Sequence, residues 1–370
     1  MADLAPSGAP RIAYILLAHQ GADTVVDHAR RMLAADPAGV LVLHYDHAAP
    51  PAAFAAILGA LADEPRALVI RDRARSGWGQ FGLVEACLRA IRDVRDAGVA
   101  VDVFHLMSVS CLPIRPIAAF KAFLARRAGD HFIECEGPEW IVGGLREERY
   151  TLHHLFNERR YRTAFYLFAG AQRLAGVRRR PPRGLVPRFG SQWWTLPART
   201  CRAILDLWER DETLRRFFRS TWVPDELFFQ TMVYALADRG ALAGHNLTFY
   251  KFTNQGKPVV LHDDHEALLR RQNFFFARKV DPEARRLRAA LWRCAGAPAP
   301  EDQPAAVGRR GAVYEARMTA QASSRRPGQL FFGDQFADDA LGLFRTIPGP
   351  VLAVWAPPSR LRALEAALST

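Results

Sequence analysis

Two acids and a proline, Pro224-Asp225-Glu226, stand in the stretch STWVPDELFFQTMV, ahead of an apolar Leu-Phe-Phe and a glutamine. A carboxylate held there could take a proton from an attacking hydroxyl, the work of a general base. The same residues also suit a plain helix start, because Pro is pre-set for the first helical position and acids there complement the positive end of the helix dipole. Neighbours on a helix point about 100° apart, so the two acids cannot share one role.

Three other constellations compete for attention. LHDDHEALL, Leu261 to Leu269, offers His262, Asp263, Asp264 and His265 as metal ligands. Consecutive helical residues do not face one ion, however, and Asp263 followed by Glu266 ahead of an apolar run fits a capping arrangement better. His153 and His154 are adjacent and fail as a metal pair for the same reason. Trp193 and Trp194 follow Gly-Ser-Gln, and Gln192 beside exposed indoles would make a sugar-binding floor, with flat faces for the ring and an amide for hydroxyls. The alternative puts one or both indoles in the core.

Several chemistries lack their sequence signature. No GxGxxG follows the first apolar run, no GxxxxGK[ST] occurs, and no GxSxG elbow is present, which disfavours dinucleotide oxidoreductases, P-loop enzymes and serine hydrolases. The single GxGxxG string, GWGQFG at Gly77 to Gly82, is a weak signal by itself. No Asp-x-Asp ends an apolar strand, so no divalent ion is expected against a diphosphate, and basic side chains would have to replace it.

The elements that must position these residues read as an α/β alternation. RIAYILLAH, GVLVLHYD, RALVIRD, DVFHLMS and HFIEC are strand-like, with helical spacing between them around 52–62, 82–97 and 117–127. A mainly parallel sheet flanked by helices follows, with ligands at the carboxyl ends of its strands. A strand is expected at LTFYKF and a helix up to Cys294. We divide the chain into a domain over 1–294, a Pro/Ala/Gly-rich linker over 295–312 and a small α/β extension over 313–370.

Composition bounds the rest. The 370 residues, 49% hydrophobic and 24% charged, suffice for a large core. No apolar run is long enough for a membrane span, the first residues lack a cleavable leader pattern, and the five scattered cysteines lack CxxC spacing. A reducing cytoplasm is expected. The net charge of +12 includes a dense run, VRRRPPRGLVPR, which reads either as a solvated loop or as a surface for nucleic acid or an anionic membrane. It lacks the aromatic interleaving of a nucleic-acid surface, and no nucleic acid is expected as a partner. Peripheral contact with the inner membrane is the one membrane association it allows.

Taken in order, YILLAH, LVLHYDH, WGQFGLVEACLRAI, FHLMSVSCLPIRP, FIECEG, REERY, GSQWWTL, VPDELFFQT, NLTFYKF and FFFARKVD resemble the core-2/I-branching β-1,6-N-acetylglucosaminyltransferases and peptide O-xylosyltransferases, glycosyltransferase family 14. The resemblance spans about Ile12 to Pro282. It implies a GT-A type fold and inverting, metal-independent transfer from a UDP-sugar to a glycan hydroxyl, with Glu226 as base and no cofactor. Asp225 is then left to hold the turn. The resemblance assigns Lys279 and Lys257 to the donor diphosphate, His19 and Asp46 to uridine, and Arg146 to the donor side. It assigns Glu134 and the Gln192-Trp193-Trp194 segment to the acceptor. Many members carry an Asp before the apolar-Pro pair that here reads Cys111-Leu112-Pro113, so any role of that Asp is unfilled. Transfer of xylose and, in another class, a basic protein binding nucleic acid or a membrane are the rival readings.

Overall fold

The computed structural model describes residues 8–141, 145–251 and 258–299. In chain order its strands and α-helices begin with β1 (Ile12–Ala18), α1 (Ala22–Ala35), β2 (Val40–Tyr45), α2 (Pro51–Ala60), β3 (Ala67–Val69), α3 (Gly82–Asp96), β4 (Val103–Ser108), β5 (Leu112–Pro113) and α4 (Ile117–Arg126). They continue with α5 (Glu148–Thr151), α6 (Arg162–Leu174), β6 (Thr195–Pro197), α7 (Ala198–Arg210), α8 (Glu212–Arg219), α9 (Phe228–Leu236), β7 (Thr248–Phe249), α10 (Glu266–Arg270), β8 (Phe276–Ala277) and α11 (Arg285–Ala295).

The chain forms two compact units. Among the described residues, the first holds those up to Val109 and from Phe120 to Leu247, and the second holds Ser110–Ala119 and those from Thr248 onward. The extension over 313–370, and the linker beyond residue 299, lie outside the described residues.

In the first unit a five-stranded sheet runs β3-β2-β1-β4-β6, parallel except for β6. Every residue of β1 and β2 is buried, which is why these strands read as unbroken apolar runs instead of alternating ones. Register sets Ala13 beside Val40 and Ile12 beside Val103. Buried Tyr14 donates to Asp36 Oδ2 at 2.9 Å, and Lys121 holds Asp36 Oδ1 at 2.8 Å. The expected α/β architecture with a mainly parallel sheet is therefore the one observed.

HFIEC departs from expectation. It forms no regular strand, only isolated bridges of His131 to Leu242, Phe132 to Thr195 and Glu136 to Phe189 in and around it. LTFYKF keeps only Thr248–Phe249 as strand, in the second unit's small sheet β5-β8-β7. There too, the LHDDHE segment is a short 3-10 turn, Asp263–His265, in which the His262 N–H donates to His265 Nδ1 at 3.0 Å. Asp263 accepts from the Leu287 N–H at 2.9 Å, so its capping partner is the start of α11, distant in sequence.

Candidate active site

The Pro-Asp-Glu triplet lies in the first unit and is not the first turn of α9. Pro224–Glu226 is a separate 3-10 turn, Leu227 breaks the helical geometry, and α9 starts only at Phe228. Before the turn, Val223 sits in the left-handed region at φ 48°, a conformation that a β-branched residue adopts only under strain of roughly 1–3 kcal/mol. Packing holds it there. The Val223 N–H donates to Gly79 O at 3.0 Å, and Val223 clusters with Phe165 and Trp222.

Gly79 explains the GWGQFG string. It takes φ 70°, and a Cβ on it would lie 2.5 Å from the Trp222 ring, so glycine is needed for both reasons. The loop leading to it is pinned to the end of β2: His44 Nε2 accepts from the Ala74 N–H, and the two Asp46 oxygens accept from Ala48 (2.6 Å) and Ser76 (2.8 Å). Burial depresses the His44 pKa to about 4, keeping the neutral acceptor form. The string is a backbone cradle under the Trp222-Val223 segment.

Behind the turn, α9 packs Phe228 against Phe81, Trp208 and Phe218, and Phe229 against Trp194. Truncating such buried rings costs about 3–5 kcal/mol. Gln230 Nε2 donates to the carbonyls of Gly190 (3.2 Å) and Ser191 (2.8 Å), clamping the GSQWW segment to the helix. Gly190 permits this approach, since a Cβ there would meet Glu134 at 2.6 Å. Its N–H donates to Glu226 O, while the Ser191 N–H donates to Glu134 Oε2 at 2.7 Å. The apolar pair and the glutamine after the acids thus build the platform that carries them.

Glu226 turns to Arg149, which donates from Nη1 at 2.7 Å; the Glu226 side chain is 23% exposed. Arg149 is itself anchored through Nε to Leu145 O at 2.9 Å. Burial raises the Glu226 pKa, the charge and hydrogen bond of Arg149 oppose that rise, and the charge of Glu134 adds to it. The surroundings make this carboxylate more basic than a free one, and Arg149 is the cation that opposes the rise. Arg149 was not singled out in the sequence, where Arg146 of the same REERY stretch was taken as the donor-side candidate; Arg146 is exposed.

Asp225 does not cap α9. Its Oδ1 is buried and has no partner among the described residues. Burial first, and the Glu226 charge second, push its pKa up to about 7. The folded state therefore keeps a proton that the unfolded chain gives up in the ordinary carboxylate range, so stability falls as pH rises from there to about 7 and is level above it. The sequence alone suggested that Asp225→Asn would cost a helix-start contact. The structure reverses the sign: Asp225→Asn should raise the melting temperature above neutral pH, by an amount worth on the order of 1 kcal/mol or more, and flatten the pH slope. Thermal melts of both proteins across pH check this; a lower melting temperature for the variant at every pH refutes it.

The remaining candidates are placed as follows. Glu134 is near Glu226 but buried. Trp193 and Trp194 are 4% and 1% exposed, so neither offers a face to a ligand, and the indole floor is withdrawn. Gln192 is half-buried. The Ala18 carbonyl accepts from the Asp46 N–H at 2.8 Å, so the ends of β1 and β2 lie side by side; His19 is exposed, while the Asp46 carboxylate is spent on its own loop. Lys279 belongs to the second unit and is exposed; Lys257 lies outside the described residues. The arginine run is partly internal. Arg179 donates to the carbonyls of Leu152, Phe217 and Ser220, Arg183 pairs with Asp211, and Arg188 lies over the Tyr234 ring.

The core-2/I-branching enzyme model matches residues 12–270, and the chain belongs to that family. The protein is therefore a glycosyltransferase, a class that implies a nucleotide-sugar donor and a glycan acceptor. No curated protein matches it. Among solved structures, one similar chain is mouse xyloside xylosyltransferase 1 in its apo form, 13% identical with a TM-score of 0.25, the match covering 60% of this chain and 82% of that one. Among the described residues, no group of three or more His, Cys, Asp or Glu side chains is placed to hold a metal, and no helix is long and apolar enough to cross a membrane.

Proposed function

We propose that this protein transfers a sugar, GlcNAc in the first instance, from a UDP-sugar to a glycan hydroxyl by a single inverting displacement, forming a β-1,6 linkage. The Glu226 carboxylate, partly open to solvent and held by Arg149, is the observation that carries the proposal. The acceptor oxygen attacks the anomeric carbon and its proton passes to Glu226. The bond from that carbon to the β-phosphate oxygen breaks, and UDP leaves with the electron pair. Inversion turns an α-linked donor into a β-linked product. The scattered, odd set of cysteines supports a reducing, cytoplasmic setting.

Charge developing on the leaving diphosphate needs preorganised partners. We assign that task to Lys279 and Lys257 in place of a metal, because the sequence has no Asp-x-Asp. UDP release from UDP-GlcNAc, with UDP-xylose as the rival donor, should then persist in EDTA; loss restored by manganese would refute the metal-free reading. Lys279→Ala should weaken UDP binding by about tenfold or more, the scale of a hydrogen bond to a charged group, and leave uridine binding nearly unchanged. Equal losses for the two ligands in calorimetry would make Lys279 structural.

A further inference from the structure

The outward side of α6 is apolar and uncovered. Leu167, Ala171 and Leu174 follow one another at i, i+4 and i+7, and Leu167 and Leu174 are 69% and 93% exposed. Leu155 and Phe156 extend the patch along the preceding loop, where Phe156 meets Phe168 at 5.7 Å. Exposed Tyr161 and Tyr166 lie within the same segment, each beside an arginine: Arg160 over one ring and Arg162 over the other. Of the eight arginines from Leu155 to Arg183, Arg179 is turned inward and Arg173 and Arg183 pair with Glu148 and Asp211, which leaves exposed Arg159, Arg160, Arg162, Arg178 and Arg180 against the segment's one acid, Glu158, which accepts from the Tyr166 hydroxyl.

We propose that this face docks on an anionic phospholipid surface. An apolar helical stripe flanked by amphipathic aromatics and a surplus of arginine is the composition of a helix that lies in a lipid interface, with leucines in the acyl boundary and guanidinium groups at the phosphates. A second copy of the chain is the poorer occupant, because it would set one arginine-rich face against another. Nucleic acid would use the arginines and leave the leucines unexplained. The opposite side of α6 buries Phe165 against Trp222, at 4.8 Å between ring centroids, two residues before Pro224. Docking therefore brings the membrane to the back of the turn that carries Glu226. The corollary, that the acceptor is presented at that surface, rests on the proposed transfer reaction.

The test is co-sedimentation of the full chain with vesicles of phosphatidylcholine alone and of phosphatidylcholine mixed with phosphatidylglycerol. Binding is expected only to the mixed vesicles, and Leu167→Glu combined with Leu174→Glu should weaken it about tenfold or more. Both positions are exposed, so melting temperature and donor hydrolysis in solution should stay at parent values. Failure to bind the mixed vesicles, or equal binding by the variant, overturns the docking proposal. So does a dimer without vesicles that the same variant dissolves. Donor hydrolysis measured without vesicles reports on the transfer reaction separately: its absence beside intact vesicle binding would refute the enzyme reading and leave the docking face standing.

Discussion

Glu226→Gln should lower turnover by about 10²–10⁴-fold, the usual contribution of a positioned general base, while UDP affinity and melting temperature stay close to those of the parent. The amide keeps the shape of the side chain and can still accept a hydrogen bond from Arg149 through its oxygen. It cannot take the acceptor's proton. The loss therefore falls on turnover, and the ground-state complex is spared. Steady-state transfer, UDP calorimetry and thermal melting on one preparation decide the matter. Near-normal transfer would move the base elsewhere, and a fall in activity that tracks a fall in melting temperature would mean that Glu226 serves the fold.

How far the chain could be read depended on whether a signal was local. Strands β1, β2 and β4 were legible because a parallel strand covered on both faces needs largely apolar side chains along its length. The Pro224 triplet was legible as a candidate, but its conformation was not. Helix-start rules see Pro, Asp and Glu, whereas the separate 3-10 turn depends on a left-handed Val223 held by Gly79 and Phe165, partners drawn from far along the chain. The tryptophan pair misled for a related reason: an indole is amphipathic, so type and neighbours do not reveal burial, and the Phe229 contact that seals Trp194 is a tertiary fact. HFIEC had strand composition without a ladder to join, and it settled for isolated bridges.

Arg149 was the partner of Glu226 that the sequence reading missed, and the reason shapes the second large effect. REERY holds two arginines, at 146 and 149, and spacing alone cannot choose between them. The fold makes the choice: Leu145 O holds the Arg149 guanidinium in place, and the Arg149 carbonyl accepts from the Trp222 N–H at 2.8 Å, which ties α5 to the segment leading into the Pro224 turn. The pair has a direct consequence for pH. Glu226 must be ionised to act, burial and Glu134 both raise its pKa, and Arg149 is the group that opposes them. Replacing Arg149 with methionine removes the opposing charge and keeps much of the apolar stem. The acid limb of the pH–rate profile should then move to higher pH, so transfer collapses by about tenfold or more under mildly acidic conditions and recovers in large part under alkaline ones. Arg149→Lys should restore part of the parent profile, since a point charge remains although the anchor to Leu145 is weakened. A purely structural arginine would give a different result: activity lower by the same factor at every pH, with the limb unmoved. That outcome, measured on kcat/KM across pH for the parent and both variants, would remove Arg149 from the chemistry and leave the basicity of Glu226 to burial alone.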